Sequence, residues 1–178
     1  LVSHDIKSLT NGVYIPDEDK YYGQLWKLAW VNDVDKWYGY GKNSFGLIKN
    51  ASRGHVFTGS SEWKNYSVNS KIMFRLASSG GLVIRSQGLQ RYYSLEIKSV
   101  NKLQINKMEY GLKTLKEIDF KFEPFEEYEM RFEANNNILK GFINNKLLIE
   151  VEDKTNQFEK GMIAVSYTHL TLPTIALV

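Results

Sequence analysis

Cysteine is missing from this chain of 178 residues, which excludes disulfides and any metal site built on thiolates. That absence suits a reducing compartment, so we favour a cytoplasmic location. Proline and histidine each occur only three times. No histidine pair has the spacing of a zinc site, and His4 and His55 are the two outside the last fourteen residues. No apolar run approaches the roughly 20 residues that a membrane span needs.

The chain also lacks a large excess of either positive or negative charge. Lysine and arginine number 23 against 20 aspartates and glutamates, a net charge of +3, and the two signs are interspersed. This pattern argues against a nucleic-acid surface. Neither nucleic acid nor membrane is therefore expected as a partner, and a hydrophobic content of 43% is enough for a real core.

Aromatic residues are plentiful, with 11 Tyr, 9 Phe and 4 Trp, mostly in short alternating runs. From Tyr66 onward apolar residues recur with period two, which is typical of half-buried strands. In segment 91–98 the alternation predicts that Tyr93, Leu95 and Ile97 face the core. Tyr92, Ser94 and Glu96 then face away from it.

Turn residues divide this alternation into a series of short strands. The predicted strands are 66–77, 82–85, 91–98, 103–108, 112–120, 127–134, 139–143, 146–151 and one that begins at Met162. Segment 78–81 is predicted as a turn, and Asn144-Asn145 as a tight hairpin. Earlier, 25–31, 45–49 and 55–58 fit short strands, and 33–40 fits an aromatic-rich loop. Such a series predicts an all-β, antiparallel, two-sheet sandwich.

Both ends of the sequence suggest a fragment. The chain starts at Leu1 rather than Met, and Val165 to about Thr174 resembles a translated transposase-end adapter from short-read sequencing. We expect a metagenomic fragment with a linker or the end of a preceding domain at 1–20, a sandwich at 21–164 and an adapter-derived tail at 165–178. The alternation predicts that the last strand runs on through 166–168 and ends before Pro173.

Acidic residues give weak evidence for catalysis or metal binding. Glu150, Glu152 and Asp153 form the densest acidic cluster, but a retaining glycosidase needs two carboxylates about 5 Å apart. On a strand Glu150 and Glu152 share a face and Asp153 points away, so we favour a solvated edge followed by a turn aspartate. No cofactor is expected beyond a structural calcium, for which Asp33, Asp35 and Asp153 are the candidate ligands.

A sheet face is the better candidate for a binding site. If their strands are neighbours, the alternation places Arg85, Tyr92 and Phe142 on one open face. Aromatic rings stack on sugars, and arginine binds hydroxyls or phosphates. The alternative is that this face packs against another domain. The same two interpretations apply to Trp26, Trp30 and Trp37, whereas Trp63 fits a core plug near the sheet edge and His55 fits a strand-end residue.

Three segments carry a family resemblance: Trp63-Lys64-Asn65-Tyr66, Gly80 to Arg85, and Arg91 to Leu95. Together with 139–153 and 160–163 they resemble the concanavalin A-like, laminin-G-like jelly roll, with Asn144-Asn145 in place of the usual Asp-Gly hairpin. Over about 54–164 the chain also resembles the C-terminal β-sandwich of bacterial ADP-ribosylglycohydrolase proteins. The segments that carry this narrower resemblance are 55–63, 88–93, 115–120 and 148–153.

This resemblance implies a non-catalytic accessory module. Such a module either binds a saccharide-like or ribose-containing ligand, such as ADP-ribose, or braces a catalytic helical domain that is not in this chain. The alternative is a jelly-roll glycosidase like the 3-keto-disaccharide hydrolases, which share the Gly-x-x-x-Arg strand. That enzyme would need an acidic pair on its concave face.

Overall fold

The computed structural model describes residues 2–5, 31–39, 45–50, 52–75, 77–155 and 157–169. Within these ranges the regular elements are all β-strands, and no helix has the length and apolarity of a membrane span. The strands are β1 (Val2–Asp5), β2 (Val31–Asn32), β3 (Lys36–Gly39), β4 (Phe45–Ile48), β5 (Arg53–Thr58), β6 (Tyr66–Met73), β7 (Ala77–Ser86), β8 (Arg91–Lys98), β9 (Lys102–Glu109), β10 (Leu112–Asp119), β11 (Glu127–Asn135), β12 (Ile138–Ile143), β13 (Lys146–Glu152) and β14 (Met162–His169).

Two large sheets confirm the predicted all-β sandwich. One has five strands in the order β1-β6-β11-β12-β13, and the other has seven in the order β10-β9-β8-β7-β14-β5-β2. The strands β3 and β4 form a separate two-stranded sheet. The pairing is antiparallel except between β1 and β6, and β7 to β10 follow one another as neighbours in chain order.

The core lies between the two sheets and follows the period-two pattern. The seven-stranded sheet contributes Leu82, Ile84, Tyr93, Leu95, Ile97, Leu103 and Ile105, and the five-stranded sheet contributes Val68, Met130, Phe132, Ala134, Leu139 and Ile149. Burying one such aliphatic or aromatic side chain stabilises the fold by about 1.5–3 kcal/mol. Every other residue of these strands is thereby turned to the outer faces. Trp63 is partly buried against this core, as predicted.

The predicted turn at 78–81 is wrong, because β7 runs through it without a break from Ala77 to Ser86. The two glycines there serve close packing instead. A Cβ added to Gly81 would lie 1.9 Å from the carbonyl oxygen of Leu95, and one added to Gly80 would lie 2.5 Å from the ring of Phe74.

The region before β5 differs in part from the expectation. The predicted loop 33–40 contains the strand β3. This strand pairs with β4, and Trp37 lies opposite Leu47. The side chain of Trp37, the residues Trp26 and Trp30, and the linker predicted at 1–20 apart from β1 lie outside the described part of the chain. The Asn144-Asn145 hairpin is confirmed, with φ angles of 51° and 64°.

The last strand, β14, lies between β5 and β7. It continues through Ser166, Tyr167 and Thr168, as the alternation predicted. Pro173, which was expected to follow its end, is outside the described residues. The proposed domain boundaries stay predictions.

Candidate functional site

The structure does not bring Arg85, Tyr92 and Phe142 onto one face. Arg85 and Tyr92 belong to the seven-stranded sheet, whereas Phe142 belongs to β12 of the five-stranded sheet. The prediction of a shared face is therefore wrong. Arg85 departs from the alternation because its φ of 49° turns the side chain inward, where it is 1% exposed.

Phe142 does point outward, as the alternation predicted, because Leu139, Gly141 and Ile143 are the buried residues of β12. Its ring already has a partner. The guanidinium of Arg131 lies 3.6 Å from the ring centroid, and Arg131 also pairs with Glu133. One face of the ring is thus covered by a cation–π contact within the chain.

A different set of side chains converges on the outer face of the seven-stranded sheet. We call it the polar row, and its members are Arg53 and His55 of β5, Tyr92, Ser94 and Glu96 of β8, and Asn106 of β9. The outward direction of the β8 residues confirms the prediction, because Tyr93, Leu95 and Ile97 fill the core. The intervening strands β14 and β7 carry the small residues Ser166 and Gly81 here, so Arg53 reaches across them to Glu96.

Glu96 is the electrostatic centre of the polar row. Its carboxylate is 1% exposed and lies 2.7 Å from Nη1 of Arg53 and 3.1 Å from Nζ of Lys98, and it accepts a hydrogen bond of 2.7 Å from Ser94. Burial alone raises the pKa of Glu96, but the two cations outweigh it and hold the pKa below its usual value. Glu96 is therefore ionised at neutral pH, which suits a hydrogen-bond acceptor rather than a general acid.

Tyr92 and His55 form the aromatic part of the polar row. The hydroxyl of Tyr92 accepts a hydrogen bond of 3.1 Å from Arg53, and burial raises the pKa of Tyr92. The imidazole ring of His55 lies 5.1 Å from the ring of Tyr92 and 5.3 Å from that of Phe57. Its backbone amide donates to the carboxylate of Asp33.

Several buried polar atoms of the polar row have no partner among the described residues. They are both ring nitrogens of His55 and Nδ2 of Asn106. The carboxylate of Asp33 is 3.8 Å from Nδ1 of His55, too far for a hydrogen bond. Oδ1 of Asn106 accepts a bond from Thr114. Buried donors and acceptors are almost always satisfied in native proteins, by protein groups, by ordered water or by a ligand, so these atoms call for polar partners beyond the described side chains.

His55 also makes the stability of the fold depend on pH. Burial lowers its pKa from 6.5 to about 4 despite the nearby Asp33, so the imidazole is neutral and offers one donor and one acceptor. As the pH falls below 6.5, the unfolded chain binds a proton that the folded chain does not. Between pH 7 and about 5 the free energy of unfolding should therefore drop by about 2 kcal/mol from this residue. Urea unfolding of the wild type and of His55→Gln across that range measures the effect, and equal slopes in the two proteins would contradict it.

The acidic residues take three different positions. Glu150 and Glu152 are 45% and 47% exposed on β13, an outer strand of its sheet, so the predicted solvated edge is confirmed. Asp153 follows β13 as the predicted turn aspartate, because its side chain accepts a hydrogen bond from the amide of Thr155. It is buried, however, and pairs with Tyr93 and Lys107. Asp33 accepts from His55, and Asp35 accepts from the amide of Asn50.

Those positions do not assemble a metal site. The described residues contain no group of three or more acidic or histidine side chains suited to a metal ion. The predicted calcium ligands Asp33, Asp35 and Asp153 thus do not come together.

Sequence reasoning missed three members of the polar row. His55 is the third residue of β5 and not a strand end, and Arg53 precedes it by two positions on the same face. Asn106 faces outward because Leu103 and Ile105 are buried. The period-two signal was available for each, but it does not say which strands become neighbours.

The comparisons with known proteins identify the fold. No protein-family model matches the sequence, and no curated protein matches it. Among solved structures, the carbohydrate-binding module CBM66 from Bacillus subtilis superposes with a TM-score of 0.69 at 15% identity, over 80% of this chain and 94% of the module. A protein of unknown function with a galectin-like fold, also from Bacillus subtilis, gives 0.60 at 9% identity, over 82% and 85%. The galectin LEC-6 from Caenorhabditis elegans gives 0.50 at 11%, over 65% and 85%.

At these identities the similarity shows the fold alone. The chain has the antiparallel two-sheet β-sandwich fold seen in galectins and in this carbohydrate-binding module, in agreement with the fold class predicted from the sequence. The expected ADP-ribosylglycohydrolase context finds no support in these structures.

Proposed function

We propose that this chain is a saccharide-binding β-sandwich module whose ligand lies on the polar row. The observation that carries the proposal is the set of buried, unpartnered polar atoms on His55 and Asn106. Its fold similarity to a carbohydrate-binding module supports the same class of ligand.

The chemistry of the polar row fits sugar hydroxyls. A hydroxyl both donates and accepts, and the row offers both roles: the amide of Asn106 donates, and neutral His55 donates at one ring nitrogen and accepts at the other. The carboxylate of Glu96 is occupied by Arg53, Ser94 and Lys98, so its role is to fix the position of Arg53. A rigid, preorganised set of polar groups loses little conformational entropy on binding.

Burial sets a condition on this binding. Tyr92, Ser94 and Asn106 are fully buried, so a sugar reaches them only if the outer face opens locally. Ligand binding should accordingly change the hydrogen-exchange protection of β8 and β9, and it should do so without loss of the sandwich.

The direct test is a glycan array that includes ADP-ribose, followed by calorimetry with the best ligand. Asn106→Ala removes an unpartnered donor from the polar row and should weaken binding at least about tenfold, because the ligand loses a buried hydrogen bond. Asn137→Ala is the control, since Asn137 lies between β11 and β12 of the other sheet and donates to Glu152 at the surface. It should leave the affinity unchanged within about twofold.

Thermal melting of both variants separates lost binding from lost folding. If the protein binds neither a glycan nor ADP-ribose, the proposal is wrong. That result would favour a module that only braces a neighbouring domain. Equal losses in the two variants would place the ligand elsewhere.

A further inference from the structure

An apolar cavity of about 210 Å³ opens beside the polar row. Its walls include Val31, Asp33, Phe57, Leu89 and Met162. Val31 and Leu89 are 71% and 45% exposed, so the cavity is open to solvent at its apolar walls. Covering these walls with an apolar group would remove apolar surface from water, which is favourable.

The cavity adjoins the polar row. Phe57 lines the cavity and stacks on His55 at 5.3 Å between ring centroids. Asp33 also lines the cavity, and its carboxylate accepts a hydrogen bond from the backbone amide of His55. Phe57 and Asp33 therefore touch both the cavity and His55, so a ligand that bonds His55 lies next to the cavity.

Among the described residues, the charges around the polar row balance. Arg53 and Lys98 supply two positive charges, Glu96 and Asp33 supply two negative charges, and the low pKa of His55 keeps its ring neutral. The described part of the row therefore offers no surplus cation for a carboxylate, sulfate or phosphate on the ligand. A neutral ligand avoids the cost of burying an uncompensated charge.

Resting on the proposed function, we infer that the ligand is a neutral saccharide with an apolar substituent, which occupies this cavity while the sugar lies on the polar row. The volume sets the size of the substituent. A dry cavity of about 150 Å³ accommodates benzene, so 210 Å³ has room for one phenyl ring or a short acyl chain with its linking atoms.

The experiment compares matched glycosides by calorimetry. Methyl and phenyl β-glycosides of neutral hexoses form one arm, N-acetyl- and N-butanoylglucosamine form the second, and methyl glucoside against methyl glucuronide forms the third. The phenyl or the butanoyl compound should bind about tenfold more tightly than its smaller partner, because more apolar area is buried. The glucuronide should bind more weakly than the glucoside.

Two exposed leucines provide the variants. Leu89→Ser removes a wall of the cavity and should abolish the preference for the larger substituent, with methyl glycoside binding unchanged. Leu147→Ser is the control: Leu147 is 44% exposed on β13 of the other sheet, and its replacement should preserve the preference. Equal affinities for the large and small substituents in wild type would overturn the inference and leave saccharide binding intact. The absence of binding to every glycoside would overturn both.

Discussion

Replacing Arg85 with alanine should lower the free energy of unfolding by about 4 kcal/mol. The side chain is 1% exposed, and its guanidinium donates to the carbonyl oxygens of Lys64, Asn136 and Phe158 and to the side chain of Asn65. One cation thereby joins segments that flank both sheets. Alanine would leave these buried acceptors without donors.

The backbone around Arg85 explains why no neighbour can replace it. Its amide donates to the hydroxyl of Tyr66 at 2.6 Å, and that hydroxyl donates to the carbonyl of Gly161 at 2.9 Å. A Cβ on Gly161 would lie 2.3 Å from the carbonyl carbon of Arg85, so the two segments are in close contact. The neighbouring side chains have little room to repack around a smaller residue. The free energy of the lost hydrogen bonds should therefore appear almost completely in the measured destabilisation.

Urea unfolding checks this result, with Arg131→Ala as the control. Arg131 is 33% exposed, and its removal should cost about 1 kcal/mol. Arg85→Lys should also be strongly destabilised. The lysine side chain is shorter, and its ammonium group lacks the planar array of N–H donors that the guanidinium provides. A stable Arg85→Ala protein that fails to bind glycans would contradict this result and restore Arg85 as a ligand residue.

Replacing Asp153 with asparagine should cost about 3 to 5 kcal/mol. Its Oδ2 accepts bonds from Tyr93 at 2.6 Å and from Lys107 at 2.8 Å, and both charged groups are about 5% exposed. Burial alone raises the pKa of Asp153, but its bonds to Lys107 and Tyr93 outweigh it and hold the pKa below 3.8. The stabilisation is therefore present above about pH 4 and is lost as the pH falls through the lowered pKa.

A double-mutant cycle isolates this pair. Asp153→Asn leaves the ammonium of Lys107 buried beside a neutral amide, whereas Lys107→Met in the same chain removes that ammonium as well. The double variant should be less destabilised than the sum of the single variants by about 1–3 kcal/mol. Additive losses would show that Asp153 and Lys107 act independently.

The alternating strands show how far sequence reasoning extends. Tyr92, Ser94 and Glu96 face outward because Tyr93, Leu95 and Ile97 bury apolar area, and this follows from composition and period alone. Arg85 occupies an outward position in the same pattern, yet its left-handed backbone turns it into the interior. That φ depends on the fit between Arg85 and Gly161, which are distant in sequence, so the local pattern does not reveal it.

The all-β sandwich, the core-facing residues of its strands and the Asn144-Asn145 hairpin could all be predicted from the amino-acid sequence, because they depend on local periodicity and turn chemistry. Only the fold of the whole chain shows which strands become neighbours. It placed Arg53 and His55 within reach of Glu96 by inserting β14 and β7 between β5 and β8, and it separated Phe142 from Tyr92 into different sheets. Strand order depends on long-range packing of the whole core, which no local stretch of sequence encodes.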